Sequence, residues 1–203
     1  CMGPPQADVA LREALAMGCD DAILMSDRAF GGSDTYATAH VIAAGLKTLD
    51  YDLIITGRQA IDGDTAQVGP QIAEQLGIPQ VSYVAEVKTA EDGAVVVKRQ
   101  FEDRYQLLKV KTPCLITALS ELAQPRYMTV SGIVNAYNKE VKVLTFEDVK
   151  NNLNPDFIGL KGSPTNVKQS FTKQVKGAGT VINVSADEAV KTIMDKLIEK
   201  HII

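Results

Sequence analysis

The sequence predicts an α/β fold: a doubly wound, mostly parallel sheet with antiparallel additions and a C-terminal arm that ends in a helix. Two short apolar runs, residues 22–25 and 53–56, have the composition of strands buried on both faces. Each is followed by a polar loop that contains glycine and then by a helical stretch. This alternation favours right-handed crossovers and ligands beyond the carboxyl ends of the strands, so we expect both loops on one face of the sheet.

The first three helices are predicted from local patterns. Residues 6–17 carry apolar side chains at helical spacing before Gly18. Residues 34–49 are rich in alanine, and Ser33 is the expected N-cap of that helix. A third helix is expected to end at Leu76, where Gly77 follows.

After the third helix the pattern changes to alternating apolar and polar residues, which is typical of antiparallel strands. A turn signal, Glu91-Asp92-Gly93, lies between two of the alternating runs. The runs expected to form this antiparallel part are residues 81–84, 95–97, 107–110 and 114–118.

The C-terminal quarter is expected to be an arm that lies on another surface. Residues 151–180 lack apolar periodicity and are rich in Asn, Gly and Pro, a longer irregular stretch than ordinary loops. A capping box at Ser185 and Glu188 then predicts a helix with one apolar stripe. The stripe consists of Val190, Ile193, Met194, Leu197 and Ile198. We therefore expect one unit over residues 1–150 and an arm over residues 151–203, whose apolar stripe has to be covered by this chain or by a partner.

Composition excludes several classes of function. The 203 residues carry a net charge of −4, with 25 acidic and 21 basic side chains, so the basic excess of a nucleic-acid binder is missing. Cys1, Cys19 and Cys114 fit no metal-binding spacing and indicate a reducing cytoplasm, and no apolar run is long enough to span a membrane. His40 and His201 stand in no catalytic motif. The opening Cys1-Met2-Gly3-Pro4-Pro5 resembles a strand-to-helix turn, which predicts that a further N-terminal segment precedes it.

The loop after the second buried strand, residues 57–70, is the most specific candidate site. Unpaired amides near residues 65–68, at a helix start, favour a diphosphate, and small residues at 60, 63 and 66 permit close backbone approach. Asp62 and Asp64 fit such a site only if they point at ribose hydroxyls or backbone donors. The loop is neither a Walker loop nor a G-x-G-x-x-G motif, and a capped turn without any ligand remains an equal alternative.

The loop after the first buried strand, residues 26–38, combines flexible glycines, a cation, hydroxyls and an aromatic residue that is expected to be exposed. These groups suit a planar ligand that forms hydrogen bonds. Ordinary turn chemistry is the alternative, because Gly, Ser and Asp are common in turns and residues 35 and 38 are spaced like any helix pair.

Together, residues 57–70, the stretch Glu121-Leu122-Ala123-Gln124-Pro125-Arg126-Tyr127-Met128 and the terminal arm resemble the small (beta) subunit of electron-transfer flavoproteins. The resemblance covers essentially the whole chain. It implies a Rossmann-like subunit that forms a heterodimer with an FAD-carrying alpha subunit and binds a second adenine nucleotide itself. The positions that match the family's nucleotide-binding residues are Met2, Asp27, Arg28, Asp34, Thr35, Thr38, Gly57, Arg58, Gln59, Ala60, Asp62, Gly63, Thr65, Ala66, Gln67 and Val68.

The resemblance leaves two functions to compare. Residues 26–38 look like the electron-bifurcating branch of the family, in which the nucleotide is a second FAD that accepts hydride from NADH. That subunit passes single electrons to the alpha-subunit FAD and to a low-potential acceptor such as ferredoxin or flavodoxin. The alternative is a non-bifurcating subunit with a structural AMP. A nucleotide sensor of the universal-stress type is a third possibility, disfavoured by the terminal arm.

The resemblance also implies a docking segment for an acyl-CoA dehydrogenase at residues 125–142. Its candidate contacts are Pro125, Arg126, Tyr127 and Val130. The sequence departs from the family there, since Val130 stands where a leucine is frequent and the lysine cluster that follows is absent. Gln100 likewise stands at a position that is acidic in some relatives.

Overall fold

A computed structural model describes residues 1–91, 93–172, 177 and 179–203. Its α-helices are α1 (Asp8–Ala16), α2 (Thr35–Leu46), α3 (Val68–Leu76), α4 (Val130–Asn138), α5 (Phe146–Val149), α6 (Gly159–Gly162) and α7 (Ala186–Glu199). Its strands are β1 (Ala22–Met25), β2 (Leu53–Gly57), β3 (Gln80–Glu91), β4 (Ala94–Gln100), β5 (Tyr105–Lys111), β6 (Cys114–Ala118) and β7 (Val141–Leu144). Asp92, in the predicted turn, lies outside the described residues, as do 173–176 and 178 in the predicted arm.

The strands confirm the mixed α/β prediction, but they form two sheets. Strands β1 and β7 pair in parallel, and the other strands follow the order β2-β6-β3-β4-β5. Strand β6 runs parallel to both β2 and β3, whereas β4 runs antiparallel to both of its neighbours, β3 and β5. The expectation that residues 114–118 continue the antiparallel part is therefore wrong. Four successive residues of β6, from Cys114 to Thr117, are buried, as is usual for a central strand covered on both faces.

The chain divides into two compact units, residues 1–166 and 167–203. Residues 151–166, predicted to belong to the arm, pack with the first unit. The second unit contains the predicted helix α7, whose capping box at Ser185 and Glu188 is formed. No helix among the described residues is long and apolar enough to cross a membrane.

Helix starts differ in detail from the predictions. The N-cap of α2 is Asp34 rather than Ser33, because the Asp34 carboxylate accepts the N–H of Ala37 at 3.0 Å. Helix α3 ends as predicted at Gly77, which adopts the left-handed conformation with φ +66°. Helix α4 and strand β7 were not among the predicted elements.

Helix α3 lies unusually close to the sheet at its first turn. A Cβ atom at Gly69 would stand 2.6 Å from Thr56 Oγ1 on β2 and 2.8 Å from Thr117 Cγ2 on β6. Glycine therefore allows the backbone of α3 to rest directly on these two side chains. The contact fixes the N-terminus of α3 at the carboxyl ends of β2 and β6.

Candidate functional site

The two glycine-containing loops are joined by a hydrogen bond. Loop 26–38 leaves the end of β1 and loop 57–68 leaves the end of β2. Thr35 Oγ1 donates to Gln67 Oε1 at 3.1 Å, across 32 residues of sequence. The structure thus confirms that the loops meet beyond the carboxyl ends of two strands, where open α/β sheets bind ligands.

Loop 26–38 lines a cavity of about 770 Å³. Met2 and Pro4 form one wall, and Asp27, Arg28 and Gly32 belong to the other. A volume of this size falls within the range of about 300 to 1,000 Å³ that is usual for small-molecule sites.

Met2 reaches this cavity because the first residues pair with β1. The N–H of Met25 donates to the carbonyl of Cys1 at 2.7 Å, and the N–H of Gly3 donates to the carbonyl of Met25 at 3.1 Å. These bonds hold Met2 beside the end of β1 in a parallel bridge.

Other predicted residues face a second cavity. Arg58 and Gln59 line a volume of about 860 Å³ together with Tyr83, over whose ring the Arg58 guanidinium lies at 5.5 Å. The predicted cofactor residues are therefore distributed over two cavities, and the Thr35–Gln67 hydrogen bond connects the loops that line them.

The carboxylates of loop 57–68 point at donors within the loop. Asp62 accepts the N–H of Gly63 at 2.8 Å, and Asp64 accepts the side-chain amide of Gln59. The amide oxygen of Gln59 in turn accepts from Arg58 Nε at 3.0 Å. Asp62 therefore points at a backbone donor, as the expectation required, whereas Asp64 points at a side-chain donor.

The end of this loop forms a concave run of backbone amides. Ala66 is left-handed with φ +53°, and Gln67 follows in a right-handed conformation. Successive residues of opposite hand turn their N–H groups toward one anion. Within the described residues, the N–H groups of Thr65, Ala66 and Gln67 have no hydrogen-bond partner.

The small residues of the loop leave room for a ligand. A Cβ atom built at Gly57 or Gly63 would meet nothing within 4 Å. Neither glycine is therefore required by contacts within the described residues, and the space beside both is open to an approaching group. Ala60 and Thr65, also in this loop, are exposed.

Loop 26–38 differs from expectation in its aromatic residue. Phe30 was expected to be exposed, but it is buried with Met25 and Val41 in the core beneath the loop. Burial of the ring anchors the short 3₁₀ turn Arg28–Phe30 and leaves Arg28 exposed, without a salt bridge among the described residues. Thr38 lies one turn after Thr35 on α2, and its N–H donates to the carbonyl of Asp34.

Asp27 fastens loop 26–38 to the start of α5. Its carboxylate accepts the N–H of Ala29 at 2.9 Å and the N–H of Phe146 at 3.0 Å. The hydrogen bonds from Ala29 and Phe146 hold the pKa of Asp27 below its ordinary value of 3.8. A lowered pKa in the folded state means that this carboxylate stabilises the fold above its unfolded pKa. That contribution disappears as the pH falls through the folded value.

We expect Asp27→Asn to lower the free energy of unfolding by about 1 kcal/mol at pH 7, the contribution of one such hydrogen bond. The difference from wild type should shrink as the pH falls below about 4, the unfolded pKa, toward the lower pKa of the folded wild-type carboxyl group. Urea denaturation from pH 7 to pH 3 measures this difference. Asp21→Asn is the control, because Asp21 is exposed and forms no salt bridge among the described residues. A difference that stays constant with pH would contradict this role.

The predicted docking residues do not share one role. Arg126 donates to the carbonyl of Gly18 at 3.3 Å, so its guanidinium is engaged within the fold. Tyr127 and Val130 are 96% and 82% exposed, and Pro125 is also exposed. Val134 and Tyr137 extend the exposed apolar face along α4. The spacing of residues 130, 134 and 137 is typical of one helix face, so this pattern could have predicted α4 from the sequence.

Comparison with known proteins relates the chain to one family. The family model described as "Electron transfer flavoprotein domain" matches residues 1–149. The electron transfer flavoprotein subunit beta of Clostridium acetobutylicum is 56% identical over 202 residues, which cover 100% of this chain and 77% of that protein.

Two relatives bear the names of reductase complexes. The acryloyl-CoA reductase electron transfer subunit gamma of Anaerotignum propionicum is 52% identical, over 100% of this chain and 78% of that protein. The caffeyl-CoA reductase-Etf complex subunit CarD of Acetobacterium woodii is 50% identical, over 100% of this chain and 77% of that protein.

Proposed function

The chain belongs to the electron transfer flavoprotein family, as a beta subunit, and from this premise we propose that it binds FAD and takes part in electron bifurcation. In this proposal NADH is the electron donor and the alpha subunit of a heterodimer carries the second FAD. Ferredoxin or flavodoxin is the low-potential acceptor. The observation that carries the proposal is the Thr35–Gln67 hydrogen bond, which joins a phosphate-type loop to a loop whose cation, Arg28, has no salt bridge within the described residues.

The amides of Thr65, Ala66 and Gln67 are the groups that would hold the diphosphate. These amides have no hydrogen-bond partner within the described residues, and the backbone there changes from a left-handed to a right-handed conformation. The N-terminus of α3 adds a partial positive charge. Gly63 and Ala60 leave space beside them. These features support a phosphate site in this loop.

Arg28 is the feature that favours a flavin over AMP. Its guanidinium belongs to the wall of the 770 Å³ cavity and is not neutralised by an acidic partner within the described residues. A guanidinium there would stabilise negative charge on a ligand, and Thr35 and Thr38 would supply hydroxyls from the adjoining first turn of α2. When bound, FAD would supply the chemistry that accepts two electrons as a hydride and releases them one at a time.

A structural AMP is the second candidate. The amides of loop 57–68 suit the phosphate of AMP as well as they suit a diphosphate, and AMP binding would leave Arg28 without a function. Electron transfer by the alpha-subunit FAD would then use this chain as a support and a docking surface.

The partner of the complex is proposed to be an acyl-CoA dehydrogenase or reductase. Two relatives are named for acyl-CoA reductase complexes, and the exposed apolar face of α4, with Tyr127 and Val130, is the surface proposed to contact it. We place the complex in the cytoplasm, where NADH is available and exposed thiols such as those of Cys1 and Cys19 remain reduced.

Nucleotide content tests the proposal directly. Acid extraction of the intact heterodimer should release two equivalents of FAD and no AMP, and NADH should bleach the flavin absorbance. Arg28→Ala should slow that bleaching while the alpha-subunit FAD stays bound. Lys111→Ala is the control for the loss of one positive charge. Lys111 lies on β5, at the edge of the five-stranded sheet opposite to β2. One FAD and one AMP per heterodimer would refute bifurcation and support the structural nucleotide.

A further inference from the structure

Residues 159–165 are hydrogen-bonded to residues 31–34 of loop 26–38. The N–H of Leu160 donates to the carbonyl of Gly31 at 3.0 Å. The N–H of Gly159 donates to Ser33 Oγ at 3.1 Å, and Ser33 Oγ donates to the carbonyl of Phe30 at 2.8 Å. We call residues 159–165 the clamp segment, because they are about 130 residues away in sequence and hold the loop from outside.

Asp34 is the residue on which the clamp segment converges. Its N–H donates to Ser163 Oγ at 2.8 Å. Its carboxylate accepts both the N–H and the hydroxyl of Thr165, at 2.9 and 2.6 Å, while also capping α2 through Ala37. Both oxygens of Asp34 are thus engaged within the protein, and the residue acts on a ligand through the loop that it fixes.

The clamp segment and the loop are also in backbone contact. Gly159 is left-handed with φ +63°, and a Cβ atom there would stand 2.4 Å from the carbonyl oxygen of Ala29. A Cβ atom at Gly32 would stand 3.0 Å from Leu160 Cβ. The two segments are therefore matched in shape as well as in hydrogen bonds.

The part of the loop after Phe30 needs such support because its own sequence does not fix it. Gly31 and Gly32 are adjacent, and glycine has more conformational freedom to lose on ordering than any other residue. Residues 26–33 nevertheless form one wall of the 770 Å³ cavity. If these residues were disordered, a ligand would have to order them on binding, and the free-energy cost of that ordering would lower the ligand's affinity.

We propose that Thr165 is a positioning residue of the nucleotide site, which acts through Asp34 to hold residues 26–34 of loop 26–38 in their ligand-binding conformation. The inference rests on the proposed function, because it concerns the same cavity. It adds to that function a dependence of nucleotide affinity on a hydroxyl that lines no part of the cavity.

The test measures FAD and AMP affinity of the heterodimer after its nucleotides have been removed, by fluorescence titration. Thr165→Val should weaken binding about tenfold, the effect of losing one hydrogen bond to a charged group. Thr165→Ser keeps the hydroxyl and should bind like wild type. Thr48→Val is the matched control, because it removes a hydroxyl that donates to the Gly45 carbonyl at the other end of α2.

A second variant separates positioning from general destabilisation. Asp34→Asn removes the charge that accepts from Thr165, so adding Thr165→Val to it should cause little further loss of affinity. Amide hydrogen exchange at residues 29–33 should be faster in Thr165→Val without ligand, while the melting temperature falls no more than in Thr48→Val.

The outcomes distinguish this inference from the proposed function. If wild type binds FAD or AMP and Thr165→Val binds it equally well, or if Thr165→Ser fails as badly as the valine variant, the positioning role is wrong. If the wild-type heterodimer rebinds neither nucleotide at this subunit, the proposed function itself is wrong.

Discussion

Replacing Ala66 with glutamate is expected to weaken adenine-nucleotide binding by at least about 100-fold. The new carboxylate would arise from the middle of the unpaired amide run, within a few ångströms of a bound phosphate. Two like charges about 5 Å apart repel by about 3 kcal/mol at an effective dielectric constant of about 20, which corresponds to about two orders of magnitude in affinity.

Ala66→Gln is the matched control for this variant. Glutamine has the same size and the same strain at φ +53°, but it adds no charge. Titration of the nucleotide-free heterodimer with AMP and FAD compares the two. If both variants bind like wild type, loop 57–68 is not the phosphate site, and equal losses in both would assign the effect to shape rather than charge.

Ile193→Asp is expected to reduce assembly with the alpha subunit by at least about 100-fold. Val190, Ile193 and Ile198 are 61%, 57% and 56% exposed on one face of α7. Burial of one such side chain contributes about 1.5 to 3 kcal/mol, and an unpaired aspartate in its place adds a desolvation penalty. Together these terms exceed the 2.7 kcal/mol that corresponds to 100-fold.

Thr192→Asp is the control for the C-terminal helix, because residue 192 lies on the face of α7 opposite the apolar stripe and also gains one acidic group. Sedimentation of the mixed subunits measures assembly, and circular dichroism verifies that α7 remains helical. Normal assembly of Ile193→Asp would show that this stripe is not the subunit interface.

Local sequence patterns predicted the elements whose causes are local. The left-handed Gly77 that ends α3 and the capping box that begins α7 are each specified within five residues, and both are present. The two buried strands with their loops were predicted in the same way. Helix α4 was missed, because its spacing of apolar residues was obscured by an irregular stretch before it.

Features that depend on distant residues could not be predicted. The short apolar run of β6 fits an antiparallel or a parallel strand, and only the insertion of Cys114–Ala118 between β2 and β3 decides between them. Phe30 is buried because Val41 and Leu144 meet beneath it. The Asp34–Thr165 pair spans 131 residues, and neither residue has a local pattern that indicates the other.

The close approach at Gly69 also constrains how this protein can evolve. Because Gly69 rests on Thr56 and Thr117 with no room for a methyl group, the three positions have to change together. A descendant with alanine at position 69 would need a smaller residue, such as serine or alanine, at 117 and a shifted or shortened side chain at 56. Alanine at position 69 alone would cause a steric clash, and smaller side chains at 56 and 117 alone would leave a cavity. Either variant would be less stable than the present protein or the fully substituted one. Substitutions at these three sites should therefore be rare and correlated.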